Sequence, residues 1–433
     1  MLAGPDAGQL AGPPPAAPGG RTWLEAGFPA LRHRNFRLFV VGQGTSLIGF
    51  WMQSVAQGWL VYRLSGSAFA VGLVAFCGYL PILCCAPAAG VLVDRVSRHR
   101  LLIATQTILM LLALGVAALI ATHRITVHLL MVFAAGVGLT SAFDVPARQA
   151  FIVQMVGSED LPSAIALNSS IFNAARVIGP AVAGSLLGAV GEAACYFSNA
   201  ASYVAVLVAL LCMRLPAAAH APRHTAPLAS GLRSGLRYVW GEPALRNLLL
   251  LLGIIGGFGL QYQVLMPVFA RRVFATDARG YGLLLAAAGV GSLASALRLA
   301  SRRYSRAEHR RYLLIGLTAF GLGVLGLAAS RQLGVALVCQ ALAGFGMIRY
   351  TATTNTLLQL LVDDRFRGRM MGLHTVMFIG TAPAGSLLLG ALAERAGAPT
   401  AALVSGTVTL GAALWLGRRL RRLRAPTTVE ATR

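Results

Sequence analysis

The sequence of 433 residues contains no lysine, so all 37 of its basic residues are arginine, and only 14 residues are acidic. A Walker A phosphate loop and a Schiff-base chromophore both need a lysine, and both are excluded. Cysteine is sparse. The six, at 77, 84, 85, 195, 212 and 339, all fall in apolar runs, and no Cys-x-x-Cys pair or Cys/His cluster with metal-ligand spacing occurs. Disulfide and zinc readings therefore have no support, and neither a metal nor a cofactor is expected. Charge of any kind is scarce, at 12% of residues against 56% apolar, with a mean hydropathy of +0.69. Those values exclude an ordinary soluble enzyme.

Long apolar runs fill the chain instead. A helical span needs roughly 20 residues, and about a dozen spans leave room only for short loops and two tails. Runs near 36–62, 69–93, 101–121, 127–143, 164–190 and 193–215 give six spans. Runs near 246–272, 280–300, 312–330, 333–361, 370–394 and 398–417 give six more. The expected fold class is an all-α membrane protein with twelve transmembrane helices in two pseudo-symmetric six-helix bundles. Residues 1–31, rich in Ala, Pro and Gly, read as a disordered tail. The six-helix bundles are expected over 32–215 and 246–417, with a linker at 216–245 and a basic tail at 418–433. Inside the linker, GLRSGLRYVW reads as an amphipathic helix lying on a membrane surface.

On this map 28 arginines fall on one side, seven on the other, and two, Arg176 and Arg349, inside spans. Short loops rich in Arg stay inside the cell, so both termini and the linker are expected in the cytoplasm, in a multi-pass protein of the inner membrane. Dispersal over many short loops implies anionic inner-leaflet lipid as their partner, and nucleic acid is not expected.

The most specific stretch is GVLVDRVSRHR, between spans 2 and 3. Gly90, Leu92, Asp94, Arg95, Arg98 and Arg100 resemble the helix 2–3 loop of the major facilitator superfamily, with Ser97 where that family prefers Gly. Further on, Gly179, Pro180 and Gly184 resemble the helix-5 motif of its antiporters, with Ala183 replacing a Gly. The runs DVPARQAF and ALNSS, and the span-1 run from Gly42 to Ala68, are similar to the branch of exporters related to the enterobactin exporter. The resemblance covers about residues 32 to 417. It implies a secondary active exporter, a central cavity, alternating access and proton antiport, in a protein expected to be a monomer. The halves also echo each other weakly, as in Gly184-Ser-Leu-Leu-Gly and Gly385-Ser-Leu-Leu-Leu-Gly, the parallel repeat of that superfamily. The second half has no Asp in Ala300 to Arg311 where Asp94 would repeat.

Three groups of residues are candidates. A conformational switch is expected from Gly90, Asp94, Arg95, Arg98 and Arg100, with Asp94 reaching Arg98 if the loop starts as a helical turn. Asp144, at the expected end of span 4, joins that cluster with Arg148, and Arg367 or Arg369 closes it. Gly179, Pro180 and Gly184 pack span 5 closely against a neighbour and would block proton leak. The substrate cavity is expected to involve a polar stripe on span 1, Gln43, Ser46, Gln53 and Gln57, which lipid would penalise. Ser169, Asn173 and Arg176 form a stripe on span 5, and Arg349 and Asn355 lie on span 10. No acid lies mid-span, so the coupling proton is expected on Asp94, Asp144 or His374.

A small molecule is the expected substrate, with siderophore-like, drug-like and lipid-like amphiphiles all open. A receptor or scaffold that kept the fold without transport is the alternative. A membrane enzyme would need clustered His and acid residues at one depth, and the acids are not so arranged.

Overall fold

The computed structural model describes residues 28–214, 236–300, 306–363 and 366–422. Most of both expected tails, most of the linker and the loop at 301–305 lie outside the described residues; of the tails, Pro29–Arg32 forms a 3-10 turn and 418–422 continue the last helix. Of the expected amphipathic helix, only 236–240 is described, within a short helix over 236–241.

The described chain is nearly all helix. The first six spans are α1 (Arg34–Ser65), α2 (Ala68–Arg95), α3 (Arg98–Ala121), α4 (Val127–Val156), α5 (Leu161–Ala189) and α6 (Glu192–Leu211). The second six are α7 (Pro243–Val273), α8 (Ala278–Ala300), α9 (Arg306–Ala329), α10 (Leu333–Leu361), α11 (Arg367–Ile379 and Ala382–Ala396) and α12 (Ala398–Arg422). Eleven of these are long and apolar enough to cross a bilayer. The twelfth, α1, has 32 residues but carries Gln43, Gln53 and Gln57, which dilute its hydropathy.

Local chemistry sets the ends. Ser67 and Thr126 cap α2 and α4 by accepting from Ala70 N and Leu129 N, as N-cap hydroxyls do. Gly66 ends α1 at φ +64°, a left-handed geometry that only glycine adopts without strain. Large apolar side chains such as Val41, Leu211 and Val338 face outward, about 70% exposed, where lipid is the solvent.

Packing repeats at an interval of six helices. α2 lies on α4, α3 on α4 and α6, and α1 on α6. In the second half α8 lies on α10, α9 on α10 and α12, and α7 on α12. The two most extensive crossings between halves, α2 with α11 and α5 with α8, are related by the same exchange. α7 is irregular, with π-turns at Ile255–Gly259 and Phe269–Val273 around a 3-10 segment. α11 breaks at Gly380–Thr381 ahead of Pro383. Such broken backbone is tolerated at membrane depth because it is packed in protein, as where Gly385 abuts the Gly257 carbonyl.

Two local expectations differ from the structure. α4 does not stop at Phe143 but runs through Pro146 to Val156, because Ala147, Phe151, Ile152 and Met155 continue its buried face. Asp94 and Arg98 do not share a helical turn. α2 ends at Arg95, Val96 is extended, and Arg98 begins α3.

Candidate functional site

The loops at one face of the bundle carry most of the arginines, and those at the other carry seven, so the faces are called arginine-rich and arginine-poor. Near the arginine-rich face, Asp144 is buried at 3% exposure. Its Oδ1 accepts from Thr105 Oγ1 at 2.8 Å and from Gln106 Nε2 at 2.8 Å, both on α3. Its Oδ2 lies 3.2 Å from Arg148 Nη2, one turn later on α4. A carboxylate inside a protein survives only when paired and hydrogen-bonded, and α3 and α4 together supply both. Close by, Arg98 Nη1 donates to the Ala150 carbonyl at 3.4 Å, tying α3 to α4. Arg95 and Arg100 are exposed. The side chains of Asp94, Arg367 and Arg369, and the surroundings of Gly90, lie outside the described residues.

Among the described residues, three of the hydrogen bonds between the halves lie at the arginine-poor face. Glu394 on α11 accepts from Ala68 N at 2.7 Å and Phe69 N at 3.4 Å, capping α2 from the opposite half. Arg272, at the end of α7, donates to the Gly66 carbonyl at 3.0 Å and lies over the Tyr62 ring. Trp59 stacks on Tyr281 with centroids 5.8 Å apart. A carboxylate at a helix N-terminus satisfies amides that have no partner in the helix, so Glu394 ties α11 to the start of α2. In Glu394→Ala, maleimide labelling of a cysteine placed at the buried, cross-half position Ser386 should become several-fold faster. An unchanged labelling rate would show that the cap holds nothing shut.

The helix-5 residues divide between two contacts. Gly179 abuts Trp51 of α1 within its own half, while Gly184 faces Gly282 of α8, and the Pro180 carbonyl lies against Gly282 as well. A Cβ added at Gly282 would come within 2.5 Å of Gly184 Cα, so backbones from the two halves touch here.

The span-1 stripe lies inside the bundle. Gln43 and Ser46 are buried, Gln57 is half-buried, and Gln53 accepts from Asn199 Nδ2 of α6 at 2.6 Å. Gly42 and Gly49, on the same side of α1, also abut α6. Part of the stripe is thus used to join two helices of one half. On α5, Ser169 is exposed and its carbonyl accepts from Asn173 Nδ2. Asn355 accepts from Gln359 one turn on.

The two span arginines have different surroundings. Arg349 lies 4.5 Å from the Tyr312 ring of α9 and 5.2 Å from the Phe345 ring, within the second half. Arg176 spans the seam. It lies 5.5 Å from the Trp51 ring of α1, and its Nη2 is 3.4 Å from Met347 Sδ of α10. His374 stacks on Phe378, one turn on in α11.

Several partners escaped sequence reasoning. Thr105 and Gln106 were detectable as a polar pair in the apolar run LLIATQTILM. Glu394 and Arg272 read as ordinary span-end charges, and nothing along the chain joins Trp51 or Met347 to Arg176.

This arrangement of two six-helix halves matches known proteins. Residues 25–431 match the family model described as transmembrane secretion effector. The chain belongs to that family, within the major facilitator superfamily. The multidrug efflux pump Tap of Mycolicibacterium fortuitum is 30% identical over 85% of this chain and 92% of its own length. The enterobactin exporter EntS of Citrobacter koseri is 27% identical over 92% and 95%. The crystal structure of the nucleoside transporter NupG superposes with a TM-score of 0.72 over 89% of this chain and 99% of that one, at 12% identity, and so shares the fold alone. This major facilitator protein is a multi-pass membrane transporter and not an enzyme.

Proposed function

We propose that this transporter exports an amphipathic small molecule across the inner membrane by alternating access, in exchange for protons. The observation that carries this reading is that, among the described residues, Glu394 and Arg272 bond across the halves at the arginine-poor face. A bundle latched at one face is loaded from the other. By the positive-inside rule the arginine-rich face is cytoplasmic, so loading is from the cytoplasm and both termini lie there. Outward direction is supported by the relatives, one an efflux pump and one a siderophore exporter.

Asp144 is the coupling group in this proposal. It is a buried carboxylate bridging α3 and α4 with its own cation one turn away, so protonation would release Arg148 and loosen that contact. Asp94 and the arginines of the 2–3 loop complete the switch at the same face. The helix-5 contact of Gly184 with Gly282 seals the opposite face. Anionic lipid binds the arginine-rich loops, and the transporter works as a monomer.

Everted membrane vesicles test the reading. With a respiratory pH gradient, at least one of ethidium, Nile red and 1-naphthaleneacetate, chosen to cover cationic, neutral and anionic amphiphiles, should accumulate above vector-only vesicles. Nigericin should abolish that accumulation. Uptake of none of the three would overturn export of amphiphiles. Cysteines introduced at Ser65, Thr122, Ser230 and Thr427, in a background lacking the native six, test orientation. Labelling of Ser230 or Thr427 from outside intact cells by an impermeant reagent would overturn the topology.

A further inference from the structure

We propose that Arg176 and Trp51 form an anion-binding point in the seam between the halves, which recognises a carboxylate-type oxygen carried by an aromatic substrate. The inference deepens the export reading and rests on it for the role of the ligand as cargo.

Burial makes the first argument. Arg176 is only 8% exposed, and a guanidinium remains charged under all ordinary conditions. Placing an arginine at the centre of a membrane helix costs about 2.5 to 3.5 kcal/mol on insertion scales. An arginine that merely held helices together would bond their carbonyls. Arg176 makes no carbonyl bond and no ion pair among the described residues, and its one hydrogen-bond partner is the weakly accepting sulfur of Met347. The nearest aromatic face, Trp51 at 5.5 Å, stabilises the cation but supplies no countercharge.

The neighbours make the second argument. Trp51 Nε1 is buried and has no acceptor. Asn173 Oδ1, one turn before Arg176 on α5, is buried and has no donor. One unmatched donor, Trp51 Nε1, and one unmatched acceptor, Asn173 Oδ1, thus lie on the elements around a cation whose one hydrogen-bond partner among the described residues is a sulfur. The ring of Phe172 stands edge-on to Trp51 at 5.7 Å. Buried polar groups without partners are rare in native proteins. A ligand with an anionic oxygen would accept from both Arg176 and Trp51, and an attached ring would find the faces of Trp51 and Phe172.

Position makes the third argument. Arg176 comes from α5, Trp51 from α1 and Met347 from α10, so the group draws on both halves. A ligand bound there would have its affinity changed by any movement of one half against the other, as a cargo site requires. Arg349 is the comparison, because its Nε is also buried without a partner among the described residues but its ring contacts lie within one half. It is 7% exposed, but it lies over Tyr312 and Phe345 of its own half, two residues and about half a helical turn away from Met347.

The test uses purified full-length protein in lipid nanodiscs and two probes, 1-naphthaleneacetate and its neutral amide, with binding measured by scintillation proximity. Wild type should bind the carboxylate at least tenfold more tightly than the amide. Arg176→Gln should remove that difference while leaving amide affinity within twofold. Arg331→Gln, at an exposed loop position, should keep the wild-type ratio. Trp51→Phe retains a ring and loses the indole N–H, so it should weaken the carboxylate several-fold and spare the amide. This variant carries the test if Arg176→Gln fails to fold. A wild type that binds the two probes equally, or binds neither, overturns the anion point, as does an unchanged ratio in the variants. Vesicle uptake keeps the two readings apart. Transport without carboxylate preference removes only the anion point, and preference without transport removes only export.

Discussion

Asp144→Asn is expected to lower transport at least tenfold and to lower the melting temperature of the purified protein by a few degrees. Asparagine keeps one acceptor for Thr105 and Gln106 but removes the charge that faces Arg148 Nη2 at 3.2 Å. Breaking a fully buried pair costs about 3 to 5 kcal/mol, chiefly through the charge left behind. Arg148 is 23% exposed and can turn partly toward water, so about 1 to 3 kcal/mol is the discounted expectation. Arg148→Met should be worse for stability, because it strands the better buried partner. The double variant separates structure from mechanism. Asp144→Asn with Arg148→Met leaves no unpaired charge, so its melting temperature should return toward wild type while transport stays lost. Thermal melts of all three variants, with vesicle uptake, check this. Normal uptake by Asp144→Asn would remove Asp144 from the coupling mechanism.

Gly282→Val is expected to be equally severe in transport but mild in folding. Its Cβ would meet Gly184 Cα at 2.5 Å and the Pro180 carbonyl at 2.8 Å, both in the other half. Backbone atoms cannot withdraw as a flexible side chain does, so the arginine-poor ends of α5 and α8 must separate. Packing inside each half is left as it was. Spin labels at Thr122 and Gln332, exposed positions at this face in opposite halves, should therefore move apart in Gly282→Val. Gly344→Val is the contrasting case. Gly344 abuts the Ala288 carbonyl, so α10 and α8 of one half would be forced apart and folding itself should suffer. Unchanged label distances together with normal uptake in Gly282→Val would mean that closure of this face is not part of the cycle.

Much of the architecture was readable along the chain, because a bilayer imposes one simple rule. Every backbone amide in lipid must bond within its own helix, so apolar length alone marks the spans. Arginine placement marks the faces by the same simplicity. The helix 2–3 loop and the helix-5 motif pointed to the superfamily, and the family match carries that same reading. Where a helix should stop was less legible. α4 crosses Pro146 because the buried face beyond it, through Phe151 and Met155, stabilises another three turns. Proline records a missing amide but says nothing of the packing that offsets it.

Which polar residues form a site was decided by tertiary structure alone. Gln53 and Arg176 each stood out as a polar residue in an apolar span. Along the chain nothing distinguishes a glutamine that bonds Asn199 from an arginine left among Trp51 and Met347. That difference depends on how far each helix is rotated about its axis and on how closely glycines such as 42, 49 and 179 let it approach its neighbours. Rotation is set by side chains that interlock with partners on other helices, from 38 residues away for Gln106 and Asp144 to 146 for Gln53 and Asn199. The sequence by itself determined the helical spans and the residues too polar for lipid. Only the docking of helices decided that Asp144 is held by Thr105 and Gln106, that Glu394 caps the start of α2, and that Arg176 has no countercharge among the described residues. A charge buried in a low-dielectric interior has to be answered at contact distance, and contact distance is a property of the packed bundle.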